Sequence, residues 1–92
     1  MTYGSTLIPV AAATTADVGP AIGGRLISVT VTAAAATTTV SLKQNGSGGT
    51  VIFTGSVAAT TSQQFRFAGA VYQGQLSVTT AGTAGVAYIE LG

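Results

Sequence analysis

The sequence contains no cysteine, no histidine and no tryptophan, only two prolines, and three basic against two acidic residues. Each shortage closes a class of chemistry. No disulfide can staple the fold, and the usual ligands of a structural zinc are missing. Serine–histidine and cysteine–histidine nucleophile pairs cannot be assembled. Charged residues make up 5% of the chain, against about 25% in ordinary soluble domains, so no clustered basic patch is available for DNA or RNA. No apolar run approaches the roughly 20 residues of a membrane-spanning helix, and the most apolar early run, 7–13, is broken by Pro9. A basic segment of the secretory-signal type does not precede that run. The expectation is synthesis in the cytoplasm, with neither nucleic acid nor membrane as partner.

What remains is a small, apolar, nearly uncharged chain. Its 92 residues suit one domain, which at this size buries only about 60–65% of the surface its unfolded chain exposes. A hydrophobic content of 47% argues against disorder despite the abundance of Ser, Thr and Gly. The surface must then consist largely of Thr, Ser, Gln, Gly and Ala, which suits packing against neighbours. With disulfides and zinc excluded, association with other chains is the remaining route to extra stability.

Alternation with a period of two runs through most of the chain. In 25–32, Ile27, Val29 and Val31 alternate with Ser28, Thr30 and Thr32, the pattern of a strand with one face buried. The stretch 37–44 places Thr38, Val40 and Leu42 on one face. Asn45-Gly46 is a strong turn dipeptide because both residues tolerate positive φ. Strand 50–54 has Val51 and Phe53 on one face and Ile52 on the other, which suggests a central position. Strands follow at 63–68, with Phe65 and Phe67 inward, at 75–80, with Leu76 and Val78 inward, and at 86–91, with Ala87, Ile89 and Leu91 opposite Val86, Tyr88 and Glu90. A loop is expected at 55–62 and a turn carrying Tyr72 at 70–74. Residues 1–23 read as an extended N-terminal arm or an edge strand at 6–14, since Pro9 is tolerated only at an edge. Short strands separated by turn signals every ten residues or so predict an all-β fold, a single small antiparallel β-sandwich of the jelly-roll or Ig-like type with about 7–8 strands. The domain proper then spans 24–92.

Candidate chemistry is sparse. Asp17 and Glu90 are the only carboxylates and lie far apart in the chain, so neither a glycosidase pair nor a multidentate cation site is expected. Gly46-Ser47-Gly48-Gly49 lacks the Lys-Ser/Thr of nucleotide-binding loops and leads into a strand, so it reads as a hairpin tip. Nothing compels Arg25, Lys43 and Arg66 to meet, or Tyr3, Tyr72 and Tyr88 to form a sugar-stacking platform. The threonines fit an exposed sheet face and are too irregularly spaced for an ice-binding array. No catalytic residue, cofactor or metal is expected.

The segments Gly24-Arg25-Leu26-Ile27-Ser28-Val29-Thr30-Val31-Thr32-Ala33, Val40-Ser41-Leu42, Gly49-Thr50-Val51-Ile52, Gly74-Gln75-Leu76-Ser77-Val78 and Val86-Ala87-Tyr88-Ile89 together resemble a pattern of small virion proteins of tailed bacteriophages. Such proteins are β-sandwich capsid decoration (cement) or head-spike proteins. The first hairpin of those proteins tends to carry an Asp-Gly turn, where this chain has Lys43-Gln44-Asn45-Gly46. The resemblance implies a virion protein on the capsid surface, a homo-oligomer such as a trimer, with the major capsid protein as partner. Tyr3, Leu7, Ile8 and Val10 are then the candidate capsid or subunit contacts, on an arm whose removal leaves a β-rich fold. The alternative is a fibre module that recognises a host receptor or surface glycan, with Tyr72 at a loop end.

Overall fold

The computed structural model describes residues 6–19, 22–82 and 85–92, and every regular element within them is a strand. The strands are β1 (Thr6–Val10), β2 (Thr15–Val18), β3 (Gly23–Thr32), β4 (Thr38–Gln44), β5 (Thr50–Val57), β6 (Ser62–Gln73), β7 (Leu76–Ala81) and β8 (Val86–Leu91). They form two four-stranded antiparallel sheets, ordered β1-β8-β3-β6 and β2-β7-β4-β5.

That order follows from one long hairpin. Thr6 pairs with Leu91, Val18 with Leu76, Thr32 with Ser62 and Gln44 with Thr50, and each of these four pairings is centred between Ser47 and Gly49. The two arms of the hairpin roll up together. β3 then meets β8, β4 meets β7, and the sandwich closes. This is the jelly-roll arrangement of two Greek keys, not the Ig-like one. The Asn45–Gly46 turn lies at its pivot, with φ of 63° and 87°. A Cβ on Gly49 would lie 1.8 Å from the Gln44 carbonyl oxygen, so only glycine fits where the chain doubles back. The Asn45 and Gly46 N–H groups donate to the carbonyls of Gln73 and Gln75 at 2.9 and 2.8 Å, which ties the pivot to the β6–β7 turn.

Inward side chains of both sheets meet in one core that includes Val10, Val18, Leu26, Val29, Val31, Val40, Leu42, Tyr72, Leu76, Val78, Ile89 and Leu91. Fully burying each Val, Leu or Ile contributes about 1.5–3 kcal/mol. Residues 6–10 and 15–18 take the edge-strand form, one strand in each sheet. Their turn is pinned by Thr80, whose Oγ1 donates to the Ala11 carbonyl at 2.5 Å and accepts from the Thr14 N–H at 3.1 Å.

Three side-chain assignments differ from the simple alternation. Ile27 is half-buried and Leu26 takes the core position at 2% exposure. Against β8, Ile27 is an inserted residue between Leu26 and Ser28, and such an insertion sends every side chain before it to the opposite face; against β6 the extra residues lie in β6, between Arg66 and Ala70. β5 is an edge, not a central strand. A second shift, between Leu42 and Lys43, places Phe53 opposite Leu42 and Val51 opposite Lys43, leaving Val51 and Ile52 50% and 39% exposed. Finally, β5 runs on to Val57 and β6 to Gln73, so Tyr72 is not on a turn but within a strand, 1% exposed.

Candidate interaction surfaces

The ionisable groups are scattered, and among the described residues no group of three potential metal ligands exists. Arg25 donates to the Gly69 carbonyl at 3.2 Å, Lys43 to the Ser47 carbonyl at 3.2 Å, and Arg66 to Gln64 Oε1 at 3.2 Å. Glu90 accepts from Ser28 Oγ at 2.9 Å, while Asp17 lies exposed on β2 of the other sheet. The turn directs the Asn45 and Gly46 N–H groups to Gln73 and Gln75 and the Gly49 N–H back to the Gly46 carbonyl, as a structural hairpin tip does.

The tyrosines do not form a platform. Tyr3 lies outside the described residues. Tyr72 is interior, with its hydroxyl against Gly19 and Gly24: a Cβ on either would come within 2.7 or 2.9 Å of that oxygen. Burial raises its pKa above the ordinary 10.0, and the hydroxyl has no hydrogen-bond partner among the described residues. It is unavailable as a glycan contact. Of the two described tyrosines, Tyr88 is the one at the surface, 37% exposed.

The other candidate contacts separate by strand alternation. Leu7 is 62% exposed on the outer face, Ile8 is half-buried against the core, and Val10, 2% exposed, is a core residue. Val10 therefore has no surface to offer a partner, because its pairing with Ala87 turns it inward.

Two surfaces stand out. The first is the side of the sandwich where edge strands β5 and β6 lie together. Phe53 packs on Phe65 and Phe67 with ring centroids 5.0 and 4.9 Å apart. Beside them is an apolar cleft of about 130 Å³ lined by Leu26, Ile52, Phe53, Phe67, Val71 and Tyr72. Val71 is 68% exposed there. Alternation alone missed this surface, because the register shifts that expose Ile52 and Val51 leave no mark in the hydropathy pattern. The second is the outer face of the β1-β8-β3-β6 sheet. Cross-strand register sets Leu7, Glu90, Ser28 and Arg66 in one row and Pro9, Tyr88, Thr30 and Gln64 in the next. On the opposite outer face, Thr15, Thr79, Ser41 and Thr54 make one full hydroxyl row. The adjoining row, Asp17, Ser77, Lys43 and Val51, breaks any array.

No protein-family model matches this sequence, and no curated protein matches it. Among solved structures, a chain of the Bacillus endospore appendages, described as a novel family of disulfide-linked pili, superposes with a TM-score of 0.62 at 17% identity. The match covers 96% of this chain and 80% of that one. At this identity the likeness is one of fold: a small all-β sandwich. The present sequence has no cysteine, so disulfide linkage has no counterpart in it.

Proposed function

We propose that this chain is a non-catalytic structural subunit that acts in many copies on the outside of a larger assembly. The observation that carries this reading is the β5–β6 side. There, among the described residues, two strands of 8 and 12 residues each have no strand partner on one side, flanked by exposed Val51, Ile52 and Val71. Arg66 is the only charged residue on either strand. Isolated soluble sandwiches commonly blunt such edges with lysine, proline, a bulge or a covering loop, and of these β5 and β6 carry only bulges, at Ile52 and between Arg66 and Ala70. A neighbouring copy supplies the missing cover without like-charge repulsion, and closed symmetry limits growth. The particular form is a phage capsid decoration protein, a small homo-oligomer that binds the major capsid protein at the head surface, as the sequence resemblance implies. Many weak contacts then add through multivalency.

A second reading, a subunit of an extracellular filament, draws on the fold likeness to the endospore appendage chain. Light scattering with electron microscopy of the purified protein separates the two. A closed oligomer that saturates isolated heads at hundreds of copies supports decoration, and helical fibres support a filament. A protein that stays monomeric at high concentration and binds no particle refutes both.

A further inference from the structure

The geometry points to a binding site for a neutral saccharide on the outer face of the β1-β8-β3-β6 sheet, centred on Tyr88. This goes beyond the assembly role and does not depend on it. A shallow, open trough there is lined by Leu7, Ser28, Thr30, Gln64, Tyr88 and Glu90. Its lining differs in kind from the β5–β6 cleft, which offers hydrocarbon almost throughout and suits a protein neighbour. Here one exposed tyrosine ring stands beside an aliphatic side chain, the Thr30 hydroxyl, an amide and a carboxylate, with buried Ser28 beneath them. That mixture matches a sugar, which carries an apolar C–H face and an equatorial rim of hydroxyls.

Three features narrow the ligand class. β8 and β3 are interior strands of the sheet, so their backbone groups are already paired and an extended peptide cannot be added as a strand. Recognition must come from side chains. Glu90 and Arg66 flank Ser28 in a single cross-strand row, so opposite charges stand side by side there, which favours a neutral ligand over an anion such as a phosphate or an acidic glycan. The polar groups are also held in place: Ser28 Oγ donates to Glu90 Oε1 at 2.9 Å, and Arg66 Nε donates to Gln64 Oε1 at 3.2 Å. The Gln64 amide is thereby oriented across Thr30 from the Tyr88 ring, since Pro9, Tyr88, Thr30 and Gln64 follow one another across the sheet. A site this shallow binds one saccharide weakly, on the order of millimolar, and gains avidity when copies are displayed together.

The test is amide chemical-shift mapping of the intact protein titrated with neutral gluco-, galacto- and manno-configured tetrasaccharides, with sialyllactose as the charged control. The expected result is saturable shifts centred on Thr30, Gln64 and Tyr88 for at least one neutral sugar, and no tighter binding of sialyllactose. Tyr88→Ala should weaken binding at least about tenfold, while Tyr88→Phe, which keeps the ring, should retain it. Thr54→Ala, on the opposite sheet, should change nothing. Shifts absent for every sugar, centred elsewhere, or unaltered by Tyr88→Ala would overturn the assignment. So would a Tyr88→Ala protein whose only change is its oligomeric state, because that assigns the face to a second copy.

Discussion

Replacing Thr80 by valine tests how the first two strands are held. Valine has nearly the shape of threonine, so the substitution removes a hydroxyl without opening a cavity. That hydroxyl, on a residue 2% exposed, donates to the Ala11 carbonyl and accepts from the Thr14 N–H. It has a further, longer contact of 3.3 Å to the Thr14 carbonyl. Valine leaves the Ala11 carbonyl and the Thr14 N–H without this partner in a partly buried turn, at a cost of about 1–3 kcal/mol. Taking about 2 kcal/mol, and about 4–8 °C per kcal/mol for a domain of this size, Tm should fall by roughly 8–16 °C. The neighbouring Thr79 supplies the control. Its hydroxyl bonds Thr15 Oγ1 at 3.1 Å in an exposed position, so Thr79→Val should cost about 0.5 kcal/mol or less. Urea denaturation of both variants reads the difference directly, and hydrogen exchange should show protection lost first in β1 and β2. If the two variants prove equally stable, the Thr80 bonds do not hold the β1–β2 turn and the reasoning fails.

Deleting residues 6–18 should give an unfolded or aggregating protein, checked by circular dichroism and sedimentation. The deletion removes Val10 and Val18 from the core, worth about 1.5–3 kcal/mol each, and bares one edge of each sheet; a soluble β-rich product would restore the picture of a dispensable arm. Gly49→Ala should destabilise by about 2 kcal/mol or more in urea melts, because its Cβ would overlap the Gln44 carbonyl; wild-type stability would mean the hairpin relaxes at no cost. Tyr72→Phe should leave stability at pH 7 unchanged or raised, since it removes a buried hydroxyl that has no partner among the described residues. Native Tyr72 has a raised pKa, so its contribution is constant below the unfolded value near 10.0 and is lost as pH climbs through the native value. Alkaline denaturation curves should therefore show the phenylalanine variant losing less stability above pH 10 than the wild type, and equal losses would contradict the assignment.

The alternation of Val29, Val31, Val40, Leu42, Leu76, Val78, Ala87 and Ile89 with polar neighbours was enough to specify strands, their inward faces and an all-β sandwich, because side-chain direction in a strand follows a period of two. The missing cysteines, histidines and charges likewise bounded the chemistry without any coordinates. Tertiary structure decided what depends on pairing between distant segments. The two register shifts put Leu26 in the core in place of Ile27 and exposed Val51 and Ile52, and a one-residue insertion is defined only by the strand opposite it. Tyr72 lay in a segment rich in small residues that reads locally as a turn, yet its burial depends on Gly19 and Gly24 leaving room for its ring. Leu7 and Tyr88, 81 positions apart in sequence, share one outer face only because Pro9 pairs with Tyr88 and Leu7 with Glu90. The turn at Asn45-Gly46 was legible as a hairpin tip from its two residues alone. That it is the pivot of the whole jelly roll was not, since local φ preferences set a turn, and only the nested pairing of four strand pairs makes that turn the centre of the fold.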